Sequence, residues 1–241
     1  MTNGSVPTAG SGPGEHAERG VVDLLGLLAY AELVAFFRTA EHAELAPTLE
    51  AKGKLAGLAA GEYANHERLY TGLVQRGADP EEAMRPFVAP LDAWHARTEP
   101  QDWLESLVKI YVGLGIAGDF YRKVAELTDE GTRELATSAV ADTQRAEFIA
   151  PQVRAAVEAD PALGGRLSLW ARRLVGEALS QAQSVAASRM DLAVLLAGGA
   201  QEDTEQHGDG SGSGDLATVS RMFATLTDAH NTRLAAMGLG S

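Results

Sequence analysis

Apolar side chains recur at spacings of three and four along most of the chain, and strictly alternating apolar and polar stretches are missing, so the pattern predicts helices and no sheet. A first helix is expected over 20–46, with Leu25, Leu28, Phe36 and Ala43 on one face and Pro47 ending it. Thr48 can cap a second helix that runs to Gly77, with Leu55, Leu58 and Leu69 on its seam. Residues 78–100 carry Pro80, Pro86, Pro90 and Pro100, which predicts a long connection with one short helix, able to cross the length of a bundle. Thr98, Gln101 and Pro100 form the expected N-terminal signature of a third helix reaching about Leu127. A tight turn leads into a fourth, about Thr132 to Ala159, which Pro151 should kink or break, and Asp160-Pro161 opens a fifth.

The termini change the character of the chain. Residues 1–18 are rich in Gly, Ser, Pro and Thr and are expected to be disordered; 198–214 read as a flexible linker. Asp215 caps a last amphipathic helix bearing Leu216, Val219, Phe223, Leu226 and Leu234. The domain reading is a tail over 1–18, a helical bundle over 19–197, a linker over 198–214 and a C-terminal helix over 215–241 packed on the bundle. Two helical hairpins separated by one long crossover resemble the connectivity of ferritin-like bundles, so an all-α, ferritin-like four-helix bundle with two additional C-terminal helices is expected.

Of 241 residues 45% are hydrophobic, enough for a substantial core. Without cysteine there are no disulfides, thiolate metal sites or cysteine nucleophiles, so any metal must be held by carboxylates and histidines. A formal charge of -13 is a poor match for a polyanion and disfavours nucleic acid as a partner. Neither a secretion signal nor a bilayer-length apolar run is evident, Leu24 to Phe37 being too short, so a cytoplasmic protein with no membrane partner is expected.

Several acids fall on apolar faces. Glu32 is the sole charge within Leu24–Phe37 and shares the face of Leu25 and Leu28. Glu62 lies on the seam of the second helix, with Asn65 and His66 one turn later. Asp142 lies on the seam of Leu135, Ala139, Ile149 and Val153, with Arg145 one turn on; Asp119 neighbours a seam on the third helix beside Gly113, Gly115 and Gly118. A buried carboxylate costs several kcal/mol unless it is paired, protonated or metal-bound. Glu32 and Glu62 lie equally far from Pro47, each roughly 22 Å from that turn at about 1.5 Å per residue, and Asp119 and Asp142 are nearly equidistant from Glu130. Each hairpin thus brings two carboxylates to one level. For each the alternatives are a metal site or a salt-bridged or protonated structural cluster: Asp119 against Arg122 or Lys123, Asp142 against Arg145, and His66 as ligand or surface residue.

One inward carboxylate per helix resembles the carboxylate di-iron arrangement of ferritin-like proteins. Within that superfamily LLAYAELVAFF, LAAGEYANHERL, DWLESLVKIYVGLGIAGDFYRKVAE, LSLWARRLVGEALSQAQ and AHNTRLAAMGLG are similar to the actinobacterial group related to the di-iron tRNA hydroxylases. The resemblance covers about residues 20–240. It implies a metal set of Glu32, Glu62, His66, Asp119 and Asp142, with one or two iron ions. The pattern departs from the family where Asn65 stands in place of the first histidine, Asp142 in place of glutamate and Arg145 in place of the second histidine. Arginine stays protonated and would neutralise carboxylates instead of binding iron.

Other groups have ordinary roles. His230 lies on the seam of the last helix and reads as a packing residue; Glu177 and Gln181 are inward candidates too, with an ordinary helical ion pair from Glu177 to Arg173 as the alternative. Arg166, Arg172 and Arg173 form the notable basic cluster and read as a solvated face. Two classes of function remain: a non-haem iron oxygenase resembling the tRNA hydroxylases, with a reduced metal site, or a metal-free ferritin-like scaffold in which Arg145 replaces the metal. A homo-oligomer is compatible with either, and iron storage is the more distant reading.

Overall fold

A computed structural model of the chain describes residues 13–125, 128–138, 144–193, 195 and 230–239. Its elements are α1 (Pro13–His42), a 3-10 turn (Ala43–Leu45), α2 (Leu49–Gln75), α3 (Pro80–Arg97), α4 (Trp103–Ala125), α5 (Glu130–Ser138), α6 (Gln144–Ala159) and α7 (Pro161–Ser188). A further helix, α8, covers 230–236. Among the described residues there is no strand.

Local chemistry sets most boundaries. The Thr48 hydroxyl accepts from the Ala51 N–H at 3.1 Å and starts α2 as expected. Past its end Gly77 takes φ of 73°, the left-handed conformation glycine adopts without strain. Asp160 caps α7 by accepting from the Ala162 N–H, with Pro161 in the first turn. α1 begins at Pro13, so residues 13–18 of the expected tail are helical. The remainder of that tail, and the 198–214 linker and Asp215 cap, lie outside the described residues.

Two expectations are corrected. The segment expected to be a long connection is the helix α3. Asp79 accepts from the Glu81 and Glu82 N–H groups, and Pro80 sits where a missing N–H costs nothing. Ala83, Phe87 and His95 form its buried face, so a helical period ran beneath Pro86 and Pro90. The crossover is therefore a helix packed on α1 and α7. Second, Thr98 ends α3 instead of starting α4: its hydroxyl donates to the Trp94 carbonyl at 2.6 Å. Asp102 caps α4 by accepting from the Glu105 N–H, while Glu105 reaches back to accept from the Gln101 N–H at 2.8 Å. Further along, α6 runs through Pro151 without ending there, and the expected fourth helix is described as α5 and α6.

α1 and α2 form a hairpin, with α3 along α1, while α4 packs against α5, α6 and α7. By length and composition α1 could cross a membrane, yet its apolar face is buried in the bundle. Two apolar clusters make the core. One joins Leu24, Leu25 and Leu28 of α1 to Leu69 and Leu73 of α2 and Phe87 of α3. The other joins Leu55 to Leu107 and Val112 of α4, Ile149 and Val153 of α6, and Leu174 of α7. On α1 and α2 the stretch between the clusters holds buried polar residues, among them Glu32, Glu62, Asn65 and His66.

Candidate functional site

Glu32 and Glu62 are both buried, on facing helices, and the residue that reaches Glu32 from α2 is Asn65, one turn after Glu62. Asn65 lies beside them. Its Nδ2 donates to Glu32 Oε2 at 3.2 Å, and its Oδ1 accepts from the Arg68 guanidinium. Because arginine only donates, that second contact fixes which end of the amide faces Glu32. The chain Arg68 to Asn65 to Glu32 thus carries positive polarisation from the surface to a buried carboxylate.

His66 is also buried, and its Nδ1–H donates to the Ala29 carbonyl at 2.8 Å. A carbonyl can only accept, so Nδ1 carries the proton and Nε2 is the sole nitrogen with a donor pair in the neutral ring. The ring lies between Tyr63 and Tyr70, each with its centroid 6.0 Å away. His66 is therefore a buried link between α1 and α2, and the surface placement is corrected.

Asp119 on α4 is part-buried and ion-paired with Arg233 of α8. Gly115 makes the space: a Cβ there would collide with the Arg233 guanidinium. Burial, with the Arg233 charge adding to it, holds the neighbouring His230 below the ordinary histidine range. His230 is buried on the bundle, as its place on the seam predicts. α8 is tied down further where Arg154 donates to the Ala236 carbonyl at 2.5 Å and Ser168 to the Leu239 carbonyl at 3.0 Å.

Asp142 lies outside the described residues, as does the side chain of Arg145. The arginine seen to reach an expected ligand is Arg233, which the sequence reading missed; Gly115 beside Asp119 was the available signal. Glu177 pairs with Arg97 at 3.5 Å in place of the expected Arg173, whose guanidinium donates to the Arg97 carbonyl at 2.7 Å. Arg166 is taken up by Asp102 and Glu105, each at 2.7 Å. Two of the three clustered arginines thus have intramolecular partners.

The described members of the set do not fit a two-metal carboxylate centre. The position one turn after Glu62 that should hold a histidine holds an amide donating to Glu32, where a metal-binding carboxylate would offer its lone pairs. Asp119 is likewise engaged by a guanidinium. Among the described residues no group of three or more His, Asp or Glu is placed to hold a metal ion.

The fold matches a solved structure described as protein 19 with aldehyde deformylating oxidase activity from Synechococcus, with a TM-score of 0.61, 17% identity, and 89% of this chain and 91% of that chain covered. At that identity the likeness establishes the fold. No curated protein sequence matches the chain. The family model described as a ferritin-like domain of actinomycetes matches residues 15–199, and the chain belongs to that family, Ferritin_fold-like.

Proposed function

We propose that the chain is a ferritin-like scaffold or binding protein whose buried carboxylates are compensated by its own amide and guanidinium groups in place of iron. The observation that carries this reading is the donation from Asn65 to Glu32 at the position where a metal-binding helix would present histidine. Arg233 on Asp119 gives the second carboxylate the same treatment. Arg145, one turn after Asp142, extends it to the fourth helix by sequence. A buried acid needs one compensating solution, and a hydrogen-bonded or ion-paired carboxylate has lost much of its affinity for a cation.

Anaerobic titration of the full chain with ferrous iron tests this reading. Unchanged thermal stability is expected, because a ligand that does not bind the native state does not stabilise it. A rise in Tm that saturates at two equivalents and disappears in Glu32→Gln overturns it.

His66 favours a second reading. A ligating histidine ordinarily donates its other ring N–H to a carbonyl or carboxylate, as His66 does to Ala29. In that reading Glu32, Glu62 and His66 hold one iron, and the chain is a non-haem iron oxygenase similar to the tRNA hydroxylases. Saturation at one equivalent, lost in His66→Gln, would select it.

A further inference from the structure

Away from the carboxylates, three buried basic side chains meet where α1 and α3 end against α4. His42 is in the last turn of α1, His95 in the last turn of α3, and Lys109 in α4; all three are at least nine-tenths buried. Lys109 is the one charge in the apolar run LVKIYV, as Glu32 is in α1. Its Nζ donates to the His95 carbonyl at 3.4 Å and lies 5.4 Å from the Trp94 ring centroid. An ammonium has three donors, and those contacts engage them only in part. Both ring nitrogens of His42, Nδ1 of His95 and Nε of Arg38 are buried with no hydrogen-bond partner.

Buried polar atoms are almost always satisfied by protein, water or an ion. The groups facing the cluster are Arg38, Glu41 and His42 from α1, His95 from α3, Glu99 from the following link and Lys109 from α4. Glu41 is occupied by Arg38 at 2.9 Å, and Glu99 is exposed. Lys109, His42 and His95 therefore have, among the described residues, no carboxylate hydrogen-bonded to them, and both ring nitrogens of His42, Nδ1 of His95 and most of the ammonium's donors are left over. We propose that the Lys109, His42 and His95 cluster is a binding site for a small oxyanion of the carboxylate class, held by the Lys109 ammonium and imidazole N–H groups.

The electrostatics agree. Burial, with the Lys109 charge adding to it, lowers His42 to about 4 and His95 to about 2, while burial lowers Lys109 to about 8. An anion among them would raise all three values. Affinity should fall as the pH passes above about 8, where Lys109 loses its charge.

The test is a titration of the full chain with acetate, and separately with inorganic phosphate, at fixed ionic strength and a pH below about 8. Ring 15N resonances of His42 and thermal stability are followed. Saturable shifts and a higher Tm are expected, and Lys109→Met and His42→Gln should each weaken binding roughly tenfold or more. Should Lys109→Met fail to fold, His42→Gln alone decides. Absent or non-saturating shifts with both anions, or equal affinity in the folded variants and the parent chain, overturn the site and leave the orphaned nitrogens to ordered water.

Discussion

The amide of Asn65 stands between Arg68 and Glu32, accepting from the guanidinium and donating to the buried carboxylate. Placed three residues after Glu62, it puts a hydrogen-bond relay where the di-iron pattern that the sequence resembles has histidine. Asn65→Leu removes the donor without adding charge and leaves a buried carboxylate short of a partner. A loss of about 1–3 kcal/mol in urea denaturation is expected. Glu32→Gln, which abolishes the charge and keeps the shape, should cost less than that; the opposite order would show that the relay contributes little.

A separate test concerns α8. Arg233→Gln should destabilise the chain, and Asp119→Asn should remove most of that effect, because the cost arises from an unpaired, part-buried charge. The two changes should couple in a double-mutant cycle. Gly115→Ala should disturb the same pair by filling the space the guanidinium occupies. Additive behaviour of Asp119→Asn and Arg233→Gln would separate the pair.

The core assignments predict a contrast. Leu28→Asp and Leu69→Asp place an unpaired charge at fully buried positions and should prevent folding, whereas Arg38→Ala removes a part-exposed ion pair with Glu41 worth about 1 kcal/mol. Phe87→Ala should cost about 3–5 kcal/mol, since Phe87 is fully buried where α3 meets α1. A silent Phe87→Ala, measured by denaturation, would contradict the helical crossover.

These results show which features the sequence made legible. The inward faces of α1 and α2, the Thr48 and Asp160 caps, and the burial of Glu32 and Glu62 followed from period and spacing, because each is a local property of one helix. α3 was obscured because Pro86 and Pro90 signal a break, while the packing of Ala83 and Phe87 outweighs two missing N–H groups. Partner choice was the least legible. Arg233 reaches Asp119 from a distant part of the chain, and His42, His95 and Lys109 meet only through tertiary packing.

Acid should unfold the chain in a definite window. His42 and His95 are held neutral by burial, with folded values of about 4 and about 2. The unfolded chain binds those protons near 6.5, so it holds more protons than the folded chain in between, and stability falls as pH drops. Each histidine should contribute a slope of about 1.4 kcal/mol per pH unit, from roughly pH 6.5 down to its folded value. His42→Phe or His95→Phe should flatten the profile in denaturation curves collected across that range. An unchanged slope in both would contradict the neutral, buried assignment.

The central claim, that protein groups have taken the place of metal on Glu32 and Asp119, is tested most directly by the metal-to-chain ratio of protein purified from iron-supplemented cells. Less than one iron per chain is predicted for the parent, with no change in Tm on chelation. Two irons per chain, lost together in Glu32→Gln and Glu62→Gln, would contradict the claim and return the chain to the di-iron oxygenases.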